Sequence, residues 1–444
     1  MTRIKLVKLV VAVIGAIVLA TPLRAQDTLQ LTLDKALEIA LSESLTLKVA
    51  DMEIKKSEYA KKGTYSALFP QIDFSFNYQR SIKKQTMYMG DQSFQIGRNN
   101  TWSTGFSAAM PLVNVSLWKS LQITGMNVEL AIEKAKSSKE DLIDQVQQAF
   151  YTALLAKDSY NVYKENYDNA VRNYEEVKSK YANDRTSKFE VIRSEVTMQN
   201  AETSVYDSQN SIILAEWKLK ALLGIDLQIP IVCLGNLIDY KETLAEYVDP
   251  NASIENNSTI KQLEIQERIL EKTYKMQIAK YYPTLNLSLN YQWMAMSENF
   301  KFSQYIWSPY STGAIGITIP IFSGGKRYHD VKQAKVQMEQ LALQKEDAIR
   351  NLEVGVKQAV NSMETCLKQY NAANKSLEGA QLGYEIALKR YEIGSGTLLE
   401  LQDSQLALLR SKLTLNQAIY SYMMAKSSLE KVLGTSLSKM EKAQ

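Results

Sequence analysis

Residues 283–293 read PTLNLSLNYQW, so that Leu285, Leu287, Leu289, Tyr291 and Trp293 alternate with Asn286, Ser288, Asn290 and Gln292. An earlier stretch, PQIDFSFNY over residues 70–78, sets Ile72, Phe74, Phe76 and Tyr78 against Gln71, Asp73, Ser75 and Asn77. A period of two sends alternate side chains to opposite faces of a β-strand, one apolar and one polar. Each strand has a return partner. Ile315, Ile317, Ile319 and Ile321 alternate with Gly316, Thr318 and Pro320, and Trp102, Thr104, Phe106, Ala108 and Met110 alternate with Ser103, Gly105 and Ser107. The segments run roughly 10 residues, about what a tilted strand needs to cross a bilayer. Two transmembrane hairpins are therefore expected, over residues 70–111 and 283–320. Ile72, Phe74, Phe76, Phe106, Leu285, Leu287, Leu289, Ile315, Ile317 and Ile319 would face lipid. Tyr78, Trp102, Tyr291 and Trp293 fall at one end of the strands, as an aromatic girdle does. A pair of hairpins in a soluble α+β domain is the alternative for alternating strands of this kind.

The amino terminus carries Arg3, Lys5 and Lys8, an uncharged run from Leu9 to Ala20, then Pro22 and a small-residue site at Ala25. That is the layout of a secretory signal peptide over residues 1–25, with a run too short for a spanning helix. The chain has 52 Lys and Arg against 48 Asp and Glu, and the leader holds four of the bases (Arg3, Lys5, Lys8, Arg24) and no acid. The exported protein is thus close to neutral, which argues against a nucleic-acid partner. No later run of 18 apolar residues exists, so contact with a membrane is expected through strands, in a Gram-negative outer membrane. Cys233 and Cys366 are the only cysteines; they pair or stay as buried thiols, and spacing does not choose.

Outside the hairpins the periodicity is helical. A short helix covers Leu31 to Ser42 with Thr32 as N-cap, and a second runs from Ser44 to Ala67. A long helix extends from Ser116 to Tyr181; after a turn at 182–187, another ends at Gly224. The pattern then repeats: Asn257 to Lys280, the second hairpin, a long helix from Gly325 to Tyr391, a turn at 392–397, and Leu398 to Gly434. Pro70, Pro111, Pro283 and Pro320 mark the helix–strand junctions. The chain divides into a leader (1–25), a first repeat (26–224), a connector (225–256), a second repeat (257–434) and a tail (435–444). At 1.5 Å per residue the long helices are each roughly 100 Å.

Four strands would close a barrel of only about 8 Å, too narrow for its own side chains. Left open in lipid, they would present edges that nothing hydrogen-bonds. Three copies give 12 strands and about 25 Å, wide enough for a water-filled lumen. The fold class is thus mainly α with a transmembrane β-barrel, built from duplicated helix/β-hairpin/long-helix units in a homotrimer. Its small and polar helix surfaces suit a hollow cylinder better than a solid coiled coil.

The duplicated layout, the segment IPIFSGGK (319–326) after a strand, and the turn RYEIGSGTLLEL (390–401) resemble the TolC-type outer-membrane efflux proteins across essentially the whole exported chain. The resemblance implies a trimeric 12-stranded β-barrel continued by a 12-helix periplasmic tunnel, girdled by an equatorial domain that would include the connector and tail. It implies a passive exit duct of a tripartite efflux or type I secretion system. The partners would be a periplasmic adaptor protein and an inner-membrane efflux pump or ABC transporter. It also implies a periplasmic gate at the helix tips: Glu400 and Asp403 as carboxylate rings, and Tyr391 with Glu190 in a tyrosine lock. The family's arginine position is Gly396 here, and Arg185 on the other turn is a substitute. Adaptor contact would fall on Asp184, Arg185, Thr186, Gly394, Ser395, Gly396 and Thr397. Ser187 with Glu190, and Thr397 with Glu400, also fit capping boxes, the alternative role for both glutamates. No cofactor, metal or catalytic residue is expected: His329 is the single histidine, and Gly324, Gly325 and Lys326 lack phosphate-loop spacing. The rival reading is an exported helical scaffold or adhesin without a pore.

Overall fold

The structure is a computed structural model that describes residues 28–245 and 253–435. The expected leader, residues 246–252 of the connector and the tail 436–444 lie outside the described residues. The first half of the chain runs β1 (Leu29–Leu31), α1 (Leu33–Glu43), α2 (Leu45–Ser66), β2 (Gln71–Arg80), β3 (Gln85–Met89), β4 (Gln92–Ile96), β5 (Asn100–Val113), α3 (Val115–Ala182) and α4 (Lys188–Leu223). The second runs β6 (Ile231–Cys233), a 3-10 helix (Leu237–Ala245), α5 (Ser258–Ala279), β7 (Thr284–Ser297), β8 (Ser308–Thr318), α6 (Lys326–Glu392) and α7 (Leu398–Leu433). No described helix is long and apolar enough to cross a membrane. By contacts these residues form two compact units. One holds 46–138 and 253–354, the other 28–45, 139–245 and 355–435.

The first unit contains a four-stranded antiparallel sheet in the order β2-β5-β7-β8. The two hairpins form as expected, and β5 pairs with β7 to join them. The register lines up Phe74, Phe106 and Tyr291 in one row and Ile72, Ala108, Leu289 and Gly313 in the next, so the alternating apolar positions read from the sequence share a face. The other face carries Gln71, Asp73, Ser75 and Asn77 beside Ser103, Ser107, Ser288, Asn290 and Thr312. On the apolar face Ile72, Phe74, Ile315 and Ile317 are 61–69% exposed, a continuous patch that a water-facing surface rarely tolerates.

Gly105 decides how closely the hairpins join. A Cβ there would stand 2.3 Å from the Tyr291 carbonyl oxygen and 2.6 Å from Gln292 Cα, so only glycine fits against β7.

Two expectations about this unit are corrected. Pro111 does not end its strand: β5 continues to Val113, with the register shifting between Pro111 and Val113, the kind of irregularity at which a residue without N–H is tolerated. Ile319 and Ile321 lie beyond β8, which ends at Thr318 opposite Thr284, because Pro320 has no donor to extend the ladder. The first linker is itself a hairpin, β3 with β4, closed by a two-residue Gly90–Asp91 turn.

In the second unit, β1 and β6 pair in parallel, Leu31 opposite Cys233. Leu31 therefore belongs to a strand, correcting the expected start of the first helix. Thr32 is the N-cap of α1, accepting from the Lys35 amide. Lys157 ties this strand pair to α3 by donating to the carbonyls of Cys233 (3.1 Å) and Gly235 (2.9 Å). Cys233 and Cys366 are both free thiols. Buried polar pairs set the match of α3 to α7. Asn173 donates to Gln405 (3.1 Å), Gln405 to Asn166, and Ser427 to Asp144 (2.7 Å). Such groups are satisfied in one alignment only, so a slip of one helix past the other would strand them.

Candidate functional site

The site expected from the sequence is the pair of helix tips, and the structure builds both on one plan. Lys180, Tyr181, Ser187 and Glu190 recur at a constant offset as Arg390, Tyr391, Thr397 and Glu400. In the first turn the Asp184 and Arg185 amides donate to the carbonyls of Tyr181 and Lys180, at 3.0 and 2.9 Å. In the second, Gly394 and Ser395 do the same to Tyr391 and Arg390, at 3.1 and 2.8 Å. Asp184 and Gly394 take left-handed backbones, φ 54° and 75°. Gly396 sits so close to Arg390 that a Cβ would lie 3.1 Å from the arginine's own, which leaves little room for a side chain at the position where the resembled family has arginine.

The capping expectations part company here. Thr397 forms the complete box: its hydroxyl accepts from the Glu400 amide at 3.2 Å, and the Glu400 carboxylate accepts from the Thr397 amide at 3.0 Å. Ser187 makes only the first half, because the Glu190 carboxylate is taken by the Thr186 hydroxyl. Thr186, expected as a docking residue, is thus a structural partner of Glu190. Glu400 keeps one carboxylate oxygen free of the box, and Asp403, one turn on, is exposed without a partner among the described residues. Both lie away from the buried stripe Leu398, Leu401, Gln405 and Leu408.

The two tips are joined by Val177, Tyr391, Leu398 and Leu401, with Val191, Tyr384 and Leu388 packed around them. Tyr391 is 8% exposed whereas its counterpart Tyr181 is 43% exposed, so the duplicated turn is used asymmetrically. The Lys180 ammonium caps the Tyr391 ring, 4.0 Å from its centroid, and pairs with Glu176 at 2.7 Å. Burial, the largest single influence, draws the Lys180 pKa down, but the hydrogen bonds and charges of Glu176 and Tyr391 together outweigh it and the net shift is upward. Burial pushes the Tyr391 phenol up against the pull of Lys180. The result is a cation held on a neutral ring. Glu190 acts on Tyr391 through charge without a hydrogen bond to it. Within one chain, then, Tyr391 is fastened by Lys180, not by Glu190.

Lys180, Glu176 and Arg390 were absent from the expected site. Their signal was available: the constant offset sets Lys180 against Arg390, and Arg390 donates to the Ser395 carbonyl at 3.2 Å, bracing its own turn. Asp184 and Arg185 are exposed at the first turn, as Gly394 and Ser395 are at the second. Lys180→Met is expected to speed hydrogen exchange at the Val177 and Leu401 amides about two- to fivefold, the worth of about 0.5–1 kcal/mol at a half-exposed cation–π contact. Global unfolding should not move; amide exchange by mass spectrometry checks both.

Comparison with known proteins gives consistent matches. The family described as "Outer membrane efflux protein" matches residues 36–225 and again 250–435. The outer membrane protein TolC of Vibrio cholerae is 20% identical over 382 residues, 83% of each chain. The alkaline protease secretion protein AprF of Pseudomonas aeruginosa is 21% identical over 406 residues, 90% of this chain and 84% of its own. Among solved structures, the CmeC outer membrane channel of Campylobacter jejuni superposes with a TM-score of 0.73 at 16% identity, covering 92% of this chain and 88% of the other.

Proposed function

This chain belongs to the outer membrane efflux protein family, and from that premise we propose that three copies form the outer-membrane exit duct of an efflux or secretion system. Each copy lends four strands to a 12-stranded barrel and four helical rods to a tunnel reaching into the periplasm. The duct is passive, and an inner-membrane pump working through a periplasmic adaptor drives its cargo.

The observation that carries this reading is the sheet itself: one face mainly apolar, and two outer strands, β2 and β8, whose outer edges pair with nothing among the described residues. In lipid each unpaired backbone group costs several kcal/mol, so the edges must meet those of other copies. The helices flanking the open edges are prepared for the same encounter. Val49, Met52 and Tyr59 on α2, which leads into β2, are more than half exposed, as are Val336, Leu343 and Val354 on α6, which follows β8. Closing β2 of one copy on β8 of the next brings one stripe toward the other. The two family matches, one per half, support division into two repeats around the connector.

At the periplasmic end, Glu400 and Asp403 of three copies would line the mouth, with Tyr391 and Glu190 behind them. Asp184, Arg185, Gly394, Ser395 and Gly396 form the outermost turns and suit adaptor contact.

Single-channel recording in planar bilayers tests the duct, since a scaffold or adhesin conducts nothing. Strand closure has its own test. With Cys233 and Cys366 changed to serine, Phe74→Cys is combined in turn with Gly313→Cys, Ile315→Cys and Ile317→Cys. At least one pair is expected to give covalent dimers and trimers on oxidation in membranes. Monomer alone in all three would exclude the β2–β8 closure.

A further inference from the structure

The ten-residue connection from Glu298 to Trp307 does not project freely beyond the sheet; it folds back over the apolar face. Phe300 lies against Tyr78 with ring centroids 5.8 Å apart, and Phe302 and Tyr305 lie 5.0 and 6.4 Å from Trp102. Beneath them the Tyr78 hydroxyl donates to the buried Asn100 side chain at 2.8 Å. The Trp102 indole N–H is buried with no acceptor among the described residues. The loop nevertheless leaves its own apolar groups uncovered: Phe300 is 57%, Phe302 52% and Ile306 83% exposed.

Charge is concentrated at the same end. Within the four strands the only ionised side chains are Asp73 and Arg80, whereas the two connections add Lys83, Lys84, Arg98 and Lys301 against Asp91 and Glu298. Glu298 is occupied by Lys84 (2.6 Å) and Arg98 (3.9 Å). Arg80, Lys83 and Lys301 are exposed and have no carboxylate partner among the described residues. Arg80 continues the row Ile72, Phe74, Phe76, Tyr78 and so stands on the apolar side, and Lys301 sits between Phe300 and Phe302.

We propose that this rim binds the phosphate-bearing headgroups of outer-leaflet lipid, with Arg80, Lys83 and Lys301 holding phosphate and Phe300, Phe302 and Ile306 resting on the adjoining acyl chains. Unpaired cations interleaved with exposed apolar groups fit a ligand that carries anionic and hydrocarbon parts side by side. Inorganic phosphate would answer the charges and leave the apolar groups in water. An acidic protein surface would do the same. Cations near an anionic lipid surface add their attractions, and threefold repetition would triple the set.

The inference rests on the barrel reading, which turns the apolar face toward lipid. The full chain is reconstituted in nanodiscs of phosphatidylcholine alone, or with a minor fraction of bisphosphorylated lipid A, and retained lipid is counted by native mass spectrometry after detergent extraction. The wild-type protein is expected to retain lipid A in preference to phosphatidylcholine, and R80A/K83A/K301A to lose about tenfold or more of that retention. Conductance in pure phosphatidylcholine is measured on both proteins. A conducting wild type without lipid A preference, or a conducting triple variant that retains lipid A as before, overturns the headgroup site and leaves the duct standing. Displacement of lipid A by millimolar inorganic phosphate would assign the cations to a free anion and also overturn it. A wild type that neither inserts nor conducts removes the barrel reading itself.

Discussion

Gly105→Val is expected to yield a chain that makes no heat-resistant trimer in detergent and opens no channel in a bilayer. The new Cβ would lie 2.3 Å from the Tyr291 carbonyl oxygen and 2.6 Å from Gln292 Cα. Both are backbone atoms of β7 and cannot rotate away as a flexible side chain would. Relief requires parting β5 from β7, which is the join between the two hairpins. Separating them opens two further strand edges, and every stranded amide or carbonyl in lipid costs several kcal/mol. The helices do not depend on that join, so far-ultraviolet circular dichroism of the variant should keep its helical signal. Gly316→Val is the control. It also lies in the sheet, but a Cβ there meets nothing within 4 Å, so trimer and conductance should persist. If the two variants behave alike, close approach at Gly105 is not what limits assembly.

The second large effect is expected from E400Q/D403N, which removes the carboxylates proposed for the periplasmic mouth. Glutamine and asparagine suit the test better than alanine. Glu400 completes the capping box with Thr397, a role glutamine can fill at the same helix position, so charge is removed without uncapping α7. Asp403 has no such role to lose. At an effective dielectric constant of about 20, a carboxylate about 8 Å from a passing ion contributes about 2 kcal/mol. With six such groups in a trimer, the cation-to-anion permeability ratio should fall by about tenfold or more at low salt. At about 1 M salt, where the screening length is about 3 Å, the difference should largely vanish. Reversal potentials under a salt gradient measure the ratio directly, and an unchanged ratio in the double variant would remove these residues from the conduction path.

The hairpins were legible because alternation is a property of successive residues. Ile72 to Tyr78 and Leu285 to Trp293 declare their faces without reference to anything else in the chain, and the register only had to agree. Helix ends were equally local. Thr32, Ser187, Asn257 and Thr397 each accept a hydrogen bond from a nearby amide of the helix they start. Most of the misses are pairings. Leu31 belongs to a strand only because Cys233 lies beside it, and a three-residue strand carries too little pattern to announce a parallel partner so far along the chain. Pro111 reads as a terminator until β7 is there to absorb the irregularity. At the tips the doubled turn was plain, but its unequal use was not. Nothing local distinguishes Tyr181 from Tyr391, and it is packing between α3, α6 and α7 that buries one under Lys180 and leaves the other exposed.

Alone, the amino-acid order determined that this protein is a duplicated helical unit carrying amphipathic strands, with a sheet too small to close and two tips bearing acid. Tertiary structure decided which strands touch, that only glycine can stand at position 105, that Lys180 holds Tyr391, and that an aromatic loop folds over the apolar rim beside unpaired cations. The division has one cause. Side-chain periodicity follows from local backbone geometry and can be read residue by residue. Contacts between distant segments depend on closing long loops and on the space left by everything else that packs, and no short stretch records either.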